Sequence, residues 1–188
     1  MASALHCIAF FFLLLTFLAV AVAFSCPEWL LDQRILISRD SFYTKGLWLR
    51  CQRPSSDFRY GNCEWLFADN FRIQKDEPVW FLAVQILFSL ALAISALAVI
   101  FGSCAAICGK RCRGFSVTCG FLNLTFLLLV AAVALFWAET YVKLQARPSG
   151  DGLVMGWSFW VAVGSTGTCL ISTILYYFLS RRDYHTGY

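Results

Sequence analysis

The run VWFLAVQILFSLALAISALAVIF, residues 79–101, carries no charged side chain. A bilayer core about 30 Å thick needs about 20 helical residues, so this run is long enough to cross it. A helix satisfies its own backbone hydrogen bonds in lipid, so the run reads as helix rather than strand. Working outward, Leu5–Phe24, Phe115–Ala138 and Leu153–Leu179 are equally free of charge. The chain has 188 residues, 60% hydrophobic and only 14% charged. Four such runs leave too little polar chain to wrap them in a soluble core, and the composition excludes a disordered or collagen-like chain.

The expected organisation is a single four-span membrane domain. It comprises span 1 (5–24), an extracellular loop (25–78), span 2 (79–101) and a cytoplasmic loop (102–114). Span 3 (115–142), a second extracellular loop (143–153), span 4 (154–179) and a cytoplasmic tail (180–188) follow. Ala21-Val22-Ala23 resembles a cleavage site for a signal peptide, but no basic segment precedes the run, so it is read as a retained span. The formal net charge is +4. Acids and bases balance within 25–78, and Glu139 and Asp151 balance Lys143 and Arg147. The excess lies in Lys110, Arg111, Arg113 and the tail arginines Arg181 and Arg182. Short basic loops stay inside, which places both termini and the 102–114 loop in the cytoplasm. The charge is thus a topological label, and the partner it implies is a bilayer, with no nucleic acid. Trp29, Trp80, Trp137 and Trp157 fall at the outer span ends, where indoles anchor at the headgroups.

The nine cysteines sort by compartment. Cys51 and Cys63 lie in the large outer loop, an oxidising environment, and form the natural disulfide pair. Cys26, at the membrane edge, is left open between free, buried and competing states. Cys104, Cys108 and Cys112 recur every four residues beside the basic cluster. Neither a histidine nor a fourth cysteine completes a zinc tetrahedron there. Reversible palmitoylation and inert thiols on a helix face both fit. Cys7, Cys119 and Cys169 read as small apolar packers.

Within the large loop, Arg34-Ile-Leu-Ile-Ser, Ser41-Phe-Tyr-Thr and Gly46-Leu-Trp-Leu-Arg-Cys-Gln are short β-branched and aromatic runs between turn signals. Pro54-Ser-Ser-Asp and Tyr60-Gly-Asn mark a hairpin returning to Cys63-Glu-Trp-Leu-Phe. The expectation is about four strands, with residues 66–77 a short helix leading into span 2. Alternation puts Leu47, Leu49 and Cys51 on one face and Trp48 and Arg50 on the other, without selecting the buried one. The fold class is therefore membrane α-helical: a left-handed four-helix transmembrane bundle carrying a small extracellular antiparallel β-sheet from the first outer loop. Ala91, Ala93, Ser95, Ala96 and Ala98 in span 2, and Ala162, Gly164, Ser165 and Gly167 in span 4, suit close packing within the bundle.

Trp29, Gly46-Leu47-Trp48, Cys51 and Cys63, set in this four-span frame, resemble the W–GLW–C–C pattern of the claudin superfamily. Gly156-Trp157-Ser158-Phe159-Trp160 is similar to a stretch of peripheral myelin and epithelial membrane proteins, and of calcium-channel gamma subunits. Two claudin features are missing: Asp76-Glu77-Pro78 stands where an arginine precedes span 2, and the second outer loop lacks an aromatic-proline tip. Such departures suit a divergent or invertebrate claudin-like protein.

The resemblance implies a structural and adhesive protein of cell–cell junctions in the plasma membrane, tight or septate, forming a paracellular barrier or ion-selective pore. Its partners would be the same or related claudin-like proteins, in cis and across cells. The alternative is an auxiliary subunit or membrane organiser of the myelin-protein and channel-gamma branch. In the family a charge beside the second cysteine often sets ion selectivity, and here that residue is Glu64, with Arg50, Arg53 and Arg59 close in sequence. All four also read as ordinary solvated edge charges, which discourage strand pairing. The ending Thr186-Gly187-Tyr188 suits strand addition to a PDZ scaffold. No enzyme, cofactor or metal is expected: His6 and His185 lie far apart, with no carboxylate constellation. No span has a charge at its middle, which argues against a pump. Asn123-Leu-Thr has the form of a glycosylation site but lies within span 3.

Overall fold

A computed structural model describes residues 2–32, 41–54, 63–66, 77–108, 114–145 and 153–185. Among the described residues, four helices are long and apolar enough to cross a membrane: α1 Ala2–Ser25, α2 Val79–Cys108, α3 Gly114–Gln145 and α4 Trp157–His185. Five strands form one antiparallel sheet: β1 Leu30–Asp32, β2 Ser41–Lys45, β3 Leu49–Pro54, β4 Cys63–Trp65 and β5 Leu153–Met155, in the order β4-β3-β2-β1-β5. The architecture is a four-helix membrane bundle with a small sheet. The expected strand at Arg34–Ser38 and the expected helix at 66–77 fall almost wholly outside the described residues.

The chain divides into two compact units. The first holds Met1–Ala21, Leu87–Ala131 and Val163–Tyr188. Its buried positions repeat at alternating intervals of three and four: Ala9, Leu13, Thr16 and Val20 in α1; Phe88, Ala91, Ser95 and Ala98 in α2. The rhythm continues with Phe115, Thr118, Leu122, Thr125 and Leu129 in α3, and Ser165, Cys169, Ser172, Tyr176 and Leu179 in α4. A spacing that averages 3.5 residues is the seam of a left-handed supercoil. Many of these positions are small or hydroxylated, which lets backbones approach where lipid supplies no hydrophobic drive. The hydroxyls are not left idle. Thr16 Oγ1 donates to the Phe12 carbonyl at 2.8 Å and lies 3.2 Å from Thr168 Oγ1 and 3.3 Å from Ser172 Oγ. Thr118 and Thr125 return their protons to the Gly114 and Phe121 carbonyls. Cys169 and Cys119 direct their thiols to the carbonyls of Leu122 and Thr173 across α3 and α4, whereas Cys7, read with them as a packer, is exposed on α1. One sequence expectation fails here: Gly164 and Gly167, read as packing residues, are exposed, with nothing within 4 Å of where a Cβ would stand. Ala93 is exposed too. Small residues fit a tight seam and an empty lipid-facing surface equally well, so composition alone could not separate them.

The second unit holds Val22–Ile86 and Ala132–Ala162. It contains the sheet and the helix ends that carry it, around a core of Trp29, Leu47, Leu66, Phe81, Val84, Phe136 and Phe159. Among the described residues, the large loop supplies four strands of the sheet and a fifth comes from elsewhere. β5 comes from the segment before α4 and pairs with β1 through Leu30–Met155, Leu31–Val154 and Asp32–Leu153. Sequence reading merged these three residues with the apolar run that follows, because Leu-Val-Met suits strand and span alike.

Candidate functional site

The sheet region is where charges and motif residues meet. Glycine opens the way: Gly46 N donates to the Leu49 carbonyl at 2.8 Å, turning the chain from β2 into β3. A Cβ on Gly46 would stand 2.5 Å from Pro27 Cα and 2.7 Å from the Cys26 carbonyl oxygen, closer than any side chain tolerates. Leu47 follows, wholly buried, and its carbonyl accepts a 2.6 Å hydrogen bond from Gln85 Nε2 of α2. The Trp48 ring packs on Phe24 with centroids 5.1 Å apart, and its carbonyl accepts from Leu66 N at 3.0 Å. The buried face of the 47–51 alternation is therefore the one bearing Leu47 and Cys51.

Trp29 is the centre of the region. It is 0% exposed, which corrects the expectation that it anchors at the headgroups. Its indole Nε1–H donates to the Ala23 carbonyl at 2.7 Å, one of the terminal carbonyls that α1 cannot satisfy by itself. Its ring meets Phe136 and Phe159 edge-on at 5.0 and 6.1 Å. Its backbone joins two strands' ends, with Trp29 N donating to the Lys45 carbonyl and Gly156 N donating to the Trp29 carbonyl. A ring that is amphipathic at an interface is also a core residue when its N–H finds a buried acceptor. Trp137 and Trp157, by contrast, are 42% and 45% exposed.

Gly156 lies against the same turn, and a Cβ there would run into the Glu28 carbonyl. That carbonyl also accepts from Ser158 N at 3.2 Å, supplying one of the acceptors that the start of α4 needs. The G-W-S-F stretch is thus a docking device for the chain leaving α1. Beside it, burial pushes the Cys26 thiol above its ordinary range; the Ser158 hydroxyl works the other way, and the Glu28 carboxylate pushes it up again.

Register assigns the charges. Cys51 stands opposite Cys63 with Cα atoms 4.1 Å apart, and the two form the disulfide. One step along, Arg50 is paired with Glu64, and across the neighbouring ladder Lys45 is paired with Arg50. Lys45 in turn forms an ion pair with Glu77 and lies 4.3 Å above the Phe81 ring. A row therefore runs Glu77, Lys45, Arg50, Glu64. The like charges of Lys45 and Arg50, unfavourable as cross-strand neighbours, are each flanked by a carboxylate. Arg50 and Glu64 are both exposed.

A profile of the family described as PMP-22/EMP/MP20/Claudin tight junction matches residues 14–178. The chain belongs to that family. No curated protein matches the sequence. In this member of the family, the acid Glu77 just before the second span has a structural task, since it holds Lys45.

The structure brings together Trp29, Gly46, Leu47, Trp48, Cys51, Cys63, Arg50 and Glu64. Arg53 lies in β3, opposite Phe42, with its side chain outside the described residues, and Arg59 lies wholly outside them. Cys104 is exposed on α2; Cys108 ends that helix, its side chain not described, while Cys112 and Thr186, Gly187 and Tyr188 fall outside the described residues. Sequence reading missed Lys45, Glu77, Gln85 and Glu28, whose partners are distant in sequence and leave no local pattern. Gly156 was visible only as part of a resemblance.

Proposed function

We propose that this protein is a structural and adhesive component of tight or septate cell–cell junctions, contributing to a paracellular barrier or ion-selective pore. Both termini would lie in the cytoplasm and the sheet outside, where it would meet like molecules in the same membrane and across the gap. The observation that carries this reading is the exposed pair Arg50–Glu64 on the edge hairpin, locked by the Cys51–Cys63 disulfide. Glu64 would face the water path, with Arg50 beside it opposing its field. A unit charge about 7 Å from a passing ion is worth about 0.25 kcal/mol in water after screening at physiological salt. Applied with opposite sign to cation and anion, this shifts their permeability ratio about twofold. In an epithelial layer expressing the protein, Arg50→Gln should raise the cation-to-anion ratio about twofold by dilution potential, and Glu64→Gln should lower it. Unchanged potentials in both variants would dismiss the selectivity role. Diffuse surface distribution, with no change in resistance on depletion, would dismiss the junction.

The close seating of Gly156 and Ser158 on Glu28 supports a second reading. That stretch is the one similar to the myelin-protein and channel-gamma branch, in which the chain would serve as an auxiliary subunit or membrane organiser. Co-purification with a channel and altered gating would favour it. On the cytoplasmic side, exposed Cys104 beside the 110–113 basic cluster supports palmitoylation, and the last three residues offer a PDZ ligand; acyl exchange and scaffold pull-down after their removal test these.

A further inference from the structure

Asn123 occupies the third span, nine residues into a helix whose membrane-crossing stretch is Gly114–Val142. At 1.5 Å per residue, that puts its amide about 13 Å along the helix, within the hydrocarbon. Several other polar groups of these spans have partners among the described residues. Gln85 is buried and bonded to the Leu47 carbonyl. Thr16, Ser103, Thr118, Thr125 and Thr173 donate to carbonyls one turn back in their own helices. Asn123 instead is exposed and makes no hydrogen bond among the described residues. An amide without a partner in hydrocarbon is costly.

The surface around it is shaped for approach. Asn123 shares an exposed face with Ser116, Gly120 and Leu127, at intervals of three and four. Nothing lies within 4 Å of where a Gly120 Cβ would stand, so a second helix can come close to the backbone there. An amide carries both a donor and an acceptor and is complementary to itself. Two copies of the chain share one orientation in a membrane, so a two-fold axis along the bilayer normal brings Asn123 opposite Asn123 at equal depth.

We propose that the α3 face around Gly120 and Asn123 is a self-association surface on which two copies of this chain pair in the membrane, sealed by reciprocal Asn123 hydrogen bonds. This holds whether or not the protein serves a junction, since it rests on the span alone. The test is the self-association of the full chain, labelled with donor and acceptor fluorophores and diluted stepwise in phosphatidylcholine vesicles. Asn123→Leu, which keeps the volume and removes the amide, should weaken association about 3- to 10-fold. Gly120→Leu should weaken it by blocking approach, while Asn123→Gln should retain most of it. Ala93→Leu, on the exposed face of α2, should leave it unchanged. An unaltered affinity in Asn123→Leu, or an equal loss in Ala93→Leu, overturns the proposal. So does a chain that stays monomeric at every dilution.

Discussion

Replacing Trp29 by phenylalanine isolates one hydrogen bond in the most buried part of the sheet region. The indole is 0% exposed and donates to the Ala23 carbonyl at 2.7 Å. The last amide of that helix turn is already committed, since Cys26 N serves the Val22 carbonyl at 3.0 Å. Phenylalanine retains a ring near Phe136 and Phe159 but orphans the Ala23 oxygen, at a cost of about 2 kcal/mol. The space left by the smaller ring adds about 1 kcal/mol. For a chain of this size each kcal/mol lowers Tm by about 2–4 °C, so the loss should be about 6–12 °C. Far-UV circular dichroism of the protein in detergent is the assay, because it does not depend on tryptophan emission. Trp137→Phe is the control: its ring is 42% exposed, and its loss should cost a third as much or less. If the two variants melt together, Trp29 is not the buried keystone described here. A Trp29 effect that appears in bilayers but vanishes in detergent would restore the headgroup-anchor role.

The disulfide and the turn make further predictions. Cys51→Ser together with Cys63→Ser opens a ring spanning 12 residues, which should cost about 3 kcal/mol and reduce surface expression without altering the spans' helicity by circular dichroism. Gly156→Ala forces a methyl group into the Glu28 carbonyl, and should destabilise at least as much as Trp29→Phe in the same melt. Because the Cys26 thiol is raised above its ordinary range by burial, its maleimide labelling at neutral pH should be slower than that of exposed Cys104, as read by peptide mass spectrometry. The sign of the linkage follows: the fold favours the neutral thiol, so this contribution is present at neutral pH and is lost as pH climbs through and beyond the ordinary thiol range. A Cys26→Ser variant should lose less stability on alkalinisation than the parent.

What the sequence made legible depended on whether the signal was local. The spans announce themselves, since a charge-free run of that length has one comfortable solvent. The Cys51–Cys63 bond followed from the compartment, and its geometry agrees. The rest required long-range information. Alternation separated Leu47 and Cys51 from Trp48 and Arg50 but could not say which set is covered; that is decided by α2, whose Gln85 reaches the Leu47 carbonyl. Trp29 was misplaced because an indole at a span end serves equally as anchor or core, and only the position of the Ala23 carbonyl distinguishes them. Gly164 and Gly167 were misread for a similar reason: absent side chains suit both a tight seam and an open surface. β5 was hidden inside an apolar run, and pairing with β1 took it out of the span.

The balance of charge in the large loop is not an average over scattered residues. It has an order across the sheet, acid, base, base, acid, and the two ends of that row differ. At one end Glu77 is tied to Lys45, whose side chain also rests on Phe81, so that carboxylate serves the fold. At the other end Glu64 lies on the edge strand, exposed, beside an exposed Arg50. Removing Glu77 therefore leaves a half-buried lysine next to an arginine and should act on stability. Removing Glu64 leaves an arginine still bathed in water and should act on the field alone. The same formal change, one carboxylate to an amide, thus separates the part of this charge row that holds the sheet from the part it leaves exposed to water.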